Sequence, residues 1–127
     1  MRDVLFVDDL VECYLKAVER IDVAHGESYN IGGGPRNAMS LMELIEHLES
    51  LIGTSIRPRY ADWRPGDQKV FVSDIRKAKR DLDWEPRVRK EEGVKKLLEW
   101  VVENRAVLQE LVLPWGTRAI RVGEDRG

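Results

Sequence analysis

Neither a helix nor a strand ladder can run through Gly32-Gly33-Gly34-Pro35. Three glycines offer no side chains to pack, and proline lacks the N–H that both structures need. Whatever precedes this break must meet whatever follows by packing, not by continuing as one element. Smaller breaks recur at His25-Gly26, at Pro65-Gly66 and at Trp84-Glu85-Pro86. The chain is therefore confined to short elements folded back on one another. Its 127 residues fit one domain, which can bury roughly two-thirds of the surface the unfolded chain exposes.

Between the breaks the apolar spacing predicts mostly helix. Val4 to Val7 reads as a short buried strand or extended segment, and Asp8 or Asp9 can cap the helix behind it. That helix is expected over 10–21, with Leu10, Tyr14, Ala17, Val18 and Ile21 on one stripe. Segment 28–31 reads as a second strand. Ser40-Leu41-Met42-Glu43 is a capping box, and Leu41, Leu44, Ile45, Leu48 and Ile52 line the helix it opens, which Gly53 ends. A strand is expected over 56–61, a loop over 62–67 and an extended stretch over 69–72. A short helix then starts at Ser73 or Asp74 and reaches Leu82, and a last one spans 90–104. The predicted class is α+β, a small and mostly helical lobe with short strands. The lobe occupies 1–105, and 106–127 is a partly ordered tail, anchored by Leu108 to Trp115 and fraying at its polar end. The chain opens almost inside an element, as expected of a piece of a larger protein.

Composition narrows the functional classes. At 43% apolar with four tryptophans, the chain is not disordered. No apolar run is long enough for a membrane span. The single cysteine, Cys13, cannot pair internally and suits a reducing cytoplasm, and with two histidines it leaves no basis for a metal site. Net charge is −2, which disfavours nucleic acid. Charge is uneven, however: residues 1–50 sum to −6 and residues 51–127 to +4. The basic half suits a solvated surface or a local anionic ligand such as a phosphate group.

Complete catalytic machinery is absent from this stretch of sequence. The glycine run lacks the sixth-position glycine of the dinucleotide fingerprint, where Asn37 stands, and lacks the Gly-Lys-Ser/Thr of a nucleoside-triphosphate loop. It reads as a tight turn. Four residues beyond Tyr14, Tyr29 and Tyr60 stand Val18, Gly33 and Arg64, so no Tyr-x-x-x-Lys pair exists to activate a phenol.

Two segments remain, 2–10 (Arg-Asp-Val-Leu-Phe-Val-Asp-Asp-Leu) and 63–68 (Trp-Arg-Pro-Gly-Asp-Gln). With Tyr29-Asn30-Ile31-Gly32-Gly33-Gly34, Ser40-Leu41-x-Glu43-Leu44, and Asp74 with Lys77, they stand in the order found in extended short-chain dehydrogenases/reductases. Over about 2–104 the chain resembles the C-terminal, substrate-binding part of that family's NAD-dependent nucleotide-sugar epimerases and dehydratases. The run 62–68 is closest in wording to the CDP-paratose 2-epimerase branch. Two positions depart from the family pattern: Asp83 where a glycine usually precedes the tryptophan, and Val4 where an aromatic residue is common.

The resemblance implies a lobe that grips the nucleotide of a nucleotide sugar, a CDP-sugar by preference. NAD and the catalytic Tyr and Lys would belong to an N-terminal Rossmann domain that this chain lacks. By position Arg2 and Arg64 resemble the family's diphosphate-binding arginines, and Asp67 the acid that accepts the ribose hydroxyls. Asn37, Ala38 and Met39 would border the base. A guanidinium fork suits a diphosphate and a carboxylate suits a diol. The residues alone also allow Arg64 and Asp67 to be a turn held by its own ion pair. Expected partners are the nucleotide sugar, the Rossmann domain of the parent or of a separate chain, and a second copy through Val4 to Val7. Alternatives are a UDP-glucose 4-epimerase or dehydratase lobe, or a non-enzymatic nucleotide-binding or interaction domain.

Overall fold

The computed structural model describes residues 1–112. It confirms the α+β class: six helices and one two-stranded sheet among the described residues. The chain divides into two units, residues 1–96 and the remainder from Leu97 onward. In the first, β1 (Arg2–Asp3) leads into α1 (Val7–Glu19) and the single turn α2 (Ile21–Ala24). A 3₁₀ turn (Pro35–Asn37) and β2 (Ala38–Met39) follow the glycine break. Next come α3 (Leu41–Ile52), α4 (Arg76–Leu82) and the start of α5 (Lys90–Glu103). α6 (Arg105–Val112) lies in the second unit. Trp115 and the polar end of the chain lie outside the described residues.

Residues 1–4 are paired on two sides within the first unit. β1 pairs antiparallel with β2, Arg2 opposite Met39 and Asp3 opposite Ala38. On its other side Arg2 forms a parallel bridge to Phe71, supported by Phe71 N–H donating to the Met1 carbonyl (3.1 Å). Strand character thus falls at 2–3, ahead of the expected 4–7, and Val7 already begins α1. Segments 28–31 and 56–61 form no ladder. Their residues favour strand, but strand needs a partner to pair with, and neither segment pairs with another among the described residues.

α3 follows its local code most closely. Ser40 Oγ accepts from Glu43 N–H (3.1 Å), Glu43 Oε2 accepts from Ser40 N–H (2.7 Å), and Gly53 ends the helix at φ 67°. Those bonds hold the Glu43 carboxyl below its ordinary pKa. Leu44, Ile45 and Leu48 are half-buried, whereas Leu41 and Ile52 at the ends of the stripe are exposed.

α1 departs from expectation. Its cap is Phe6, with no side-chain cap bond, so neither Asp8 nor Asp9 caps it. The buried positions are Asp9 and Cys13, with Ala17 packed beside them, while Tyr14, Val18 and Ile21 are exposed. Small side chains let α1 approach Ala78, Leu82 and Trp84, which with Cys13 form the core. A helix with two apolar sides gives periodicity no means of choosing between them. α4 ends on Asp83, which takes the left-handed conformation itself (φ 52°, ψ 42°), so this helix ends in the conformation a glycine would supply.

Candidate functional site

Arg64-Pro65-Gly66-Asp67 is a tight turn built by its own sequence. Proline presets the second position, Gly66 supplies φ 83° at the third, and Asp67 N–H donates to the Arg64 carbonyl (3.1 Å). The turn brings the two charged heads together: Arg64 Nε lies 3.4 Å from Asp67 Oδ2. The Arg64 side chain is 88% exposed and that of Asp67 38%. A solvent-exposed pair of this kind contributes about 0–1 kcal/mol, so it gathers the charges without tying them into the fold. Lys69 lies over the exposed Trp63 ring, 5.4 Å from its centre.

Arg2 joins this turn through the backbone. Two residues beyond Asp67, the Lys69 carbonyl accepts from the Met1 nitrogen (2.8 Å), and Phe71 bridges Arg2. Two residues span at most roughly 7 Å, so the turn stands close along the chain to the residues that bond to Met1 and bridge Arg2. The Arg2 side chain is exposed, and its Nη1 donates to the Met1 carbonyl (3.1 Å).

Asn37, Ala38 and Met39 stand differently. Asn37 is 2% exposed and both ends of its amide are engaged, Nδ2 donating to the Val88 carbonyl (3.0 Å) and Oδ1 accepting from Lys90 N–H (3.1 Å). Met39 is buried, and Ala38 is half-buried with its carbonyl accepting from Lys90 Nζ (2.6 Å). Asn37 and Met39 therefore support the wall that Ala38 presents.

Two carboxylates that the sequence reading did not place in the site organise its surroundings. Asp9, 3% exposed, accepts from Arg87 N–H (3.1 Å) and Val88 N–H (3.0 Å), and its carbonyl accepts from Trp84 Nε1 (2.9 Å). Asp3 accepts from Gly34 N–H (3.0 Å) and Ser73 N–H (3.1 Å). Burial pushes the Asp3 carboxyl up, but the bonds from Ser73 and Gly34 outweigh it and hold its pKa below the ordinary 3.8. An acidic residue in a first helical turn is already explained by the helix dipole, so nothing in the spacing separates Asp9 from Asp8.

A groove of about 720 Å³ lies elsewhere, between the 33–37 loop, α4 and segment 83–89. Of the candidate substrate-binding residues Arg2, Asn37, Ala38, Met39, Arg64 and Asp67, only Asn37 lines it. Several of its charges are spent on neighbours: Lys79 on Glu85 (2.5 Å), Arg87 on Glu12 (3.1 Å) and Arg76 on Asp74 (2.5 Å). The Arg76 guanidinium holds the Asp74 carboxyl down to about 2.

The family described as GDP-mannose 4,6 dehydratase matches residues 1–97, and the chain belongs to it, among the nucleotide-sugar epimerases and dehydratases of the short-chain dehydrogenase/reductase type. The chain is 37% identical to CDP-paratose 2-epimerase of Salmonella typhi over 100 residues, 79% of this chain and 30% of that protein. It is 34% identical to UDP-glucuronate 4-epimerase of Thermodesulfobacterium geofontis over 110 residues, 87% of this chain and 33% of that one. It is 35% identical to UDP-glucose 4-epimerase of Bacillus subtilis over 105 residues, 82% and 30% of the two chains. The chain thus spans about a third of the length of these relatives.

Proposed function

We propose that this chain is the substrate-binding lobe of an NAD-dependent nucleotide-sugar epimerase, with a CDP-sugar as the favoured ligand. One observation carries the reading: a tight turn presents an 88% exposed guanidinium and a carboxylate 3.4 Å apart. Arg64 and Arg2 would take the diphosphate oxygens, Asp67 would accept the two ribose hydroxyls, and Ala38, backed by Asn37 and Met39, would border the base. The CDP preference rests on the wording of 62–68 and on the likeness to CDP-paratose 2-epimerase. The UDP-sugar relatives make uridine the alternative.

The described residues do not fit NAD. A pyrophosphate needs open space against its glycines, but a Cβ on Gly32 would meet Ser73 and Asp3, and one on Gly33 would meet the Val4 carbonyl. These glycines serve close packing within the fold. We place NAD on a partner domain, and the exposed residues of α1, Val11, Leu15 and Val18, at the spacing of one helical face, suit such an apolar partner. A second copy of the chain is the other candidate for this face, and sedimentation at rising concentration distinguishes the two. The unpaired, buried Cys13 agrees with a reducing compartment, and we assign the cytoplasm. No helix among the described residues is long and apolar enough to cross a membrane.

Calorimetric titration of the chain with a CDP-sugar, a UDP-sugar and the free sugar tests the reading. It predicts saturable binding of the nucleotide sugars, none of the free sugar, and no turnover when NAD is added. Epimerisation by this chain alone, or equal affinity for the free sugar, would overturn it.

A further inference from the structure

Asp3 is half-buried, and its carboxylate is bonded to groups from two distant segments. Oδ2 accepts from Gly34 N–H (3.0 Å) and Ser73 N–H (3.1 Å), and the Ser73 hydroxyl, itself buried, bonds to the same carboxylate. A Cβ on Gly32 would overlap both Ser73 and the Asp3 carboxylate, so the glycine loop is shaped around this contact. One side chain thus joins residues 1–4, the glycine loop and the extended segment that returns from the Arg64–Asp67 turn.

Its neighbour Arg2 has no comparable anchor. Successive residues of a strand point to opposite faces, and a slip of one residue exchanges the faces. With Arg2 paired to Met39 on one side and Phe71 on the other, only two residues of ladder define the register of β1. Such a short ladder is weakly specified by backbone bonds alone. The Asp3 carboxylate adds the specification, because its donors on Gly34 and Ser73 are reached only when Asp3 faces inward and Arg2 outward.

We propose that Asp3 is a positioning residue for nucleotide binding: without touching the ligand, it holds β1 in the register that presents Arg2 beside the Arg64–Asp67 turn. The proposal rests on the nucleotide-binding reading above.

A double-mutant cycle tests it, with CDP as the calorimetric probe and a thermal melt on every variant. Arg2→Ala is expected to weaken CDP binding about tenfold in the wild-type background. In an Asp3→Asn background, where the register is loosened, the same change is expected to weaken it by less than about twofold. If Asp3→Asn does not fold, Ser73→Ala carries the same cycle. Independent losses that simply add, or an Asp3→Asn chain that binds as wild type, overturn the positioning role and leave the nucleotide reading intact. A folded wild-type chain that does not bind CDP overturns the nucleotide reading, and the role of Asp3 with it.

Discussion

Asp8 and Asp9 are adjacent, share the first turn of α1 and carry the same charge, yet they should respond very differently to mutation. Asp9 is 3% exposed and its two oxygens accept from Arg87 N–H (3.1 Å) and Val88 N–H (3.0 Å). Hydrogen bonds to a charged group contribute about 1.5–3 kcal/mol each. Asp9→Ala leaves two partly buried donors without this acceptor, some of which water recovers, so the expected loss is about 3 kcal/mol. Asp9→Asn keeps one acceptor oxygen and turns an amide N–H₂ toward the other donor, for a loss of about 1.5 kcal/mol. Asp8 is exposed and acts through the helix dipole and a charge interaction with Lys96, so Asp8→Ala should lose about 0.3–1 kcal/mol. Urea unfolding followed by far-UV circular dichroism measures all three at a shared slope. If Asp9→Ala falls within about 0.5 kcal/mol of Asp8→Ala, then the Asp9 carboxylate does not hold segment 87–88 and the reasoning fails.

Asp83 stands in the left-handed region at φ 52°, a conformation that costs a residue with a Cβ about 1–2 kcal/mol. Its 3.8 Å pair with Arg20 is exposed and contributes little. After glycine's greater loss of entropy, Asp83→Gly is expected to raise the melting temperature by about 2–5 °C; a fall would show that the Asp83 side chain matters more than its backbone. Asp74 and Asp3 both titrate below the ordinary 3.8 in the fold, Asp74 at about 2. Their contribution is therefore present above pH about 4 and lost as pH falls toward 2. Acid titration of stability should lose part of its slope in Asp74→Asn and in Asp3→Asn, and unchanged curves in both would contradict this.

What could be read from the chain follows how local the determining interaction is. The capping box at Ser40 and Glu43, the Gly53 stop and the Pro65-Gly66 turn involve residues within four positions of one another, and all three appear in the structure. Strand at 28–31 and 56–61 was expected from residue type, but pairing depends on a partner elsewhere, and neither segment pairs with another among the described residues. Apolar spacing points to the wrong side of α1, because Tyr14, Val18 and Ile21 are apolar yet exposed. What decides the matter is the closeness that Cys13 and Ala17 allow to Trp84. Of the proposed site, the Arg64–Asp67 juxtaposition was legible because the turn itself enforces it. The tethering of Arg2 to Phe71 spans 69 residues and leaves no mark in spacing or composition. Asp9 bonds only to backbone N–H groups and Asp3 mainly to them, so their partners carry little side-chain identity to recognise.

The most direct test compares the wild-type chain with Arg64→Ala in a calorimetric titration with CDP, beside thermal melts of both. The account predicts one saturable site in the wild type, weakened about 10–150-fold by the substitution, and an unchanged melting temperature, since the Arg64 side chain is 88% exposed. A melting temperature that falls while CDP binding holds would make Arg64 and Asp67 a structural clamp, and would contradict the assignment of this turn as the nucleotide-binding site.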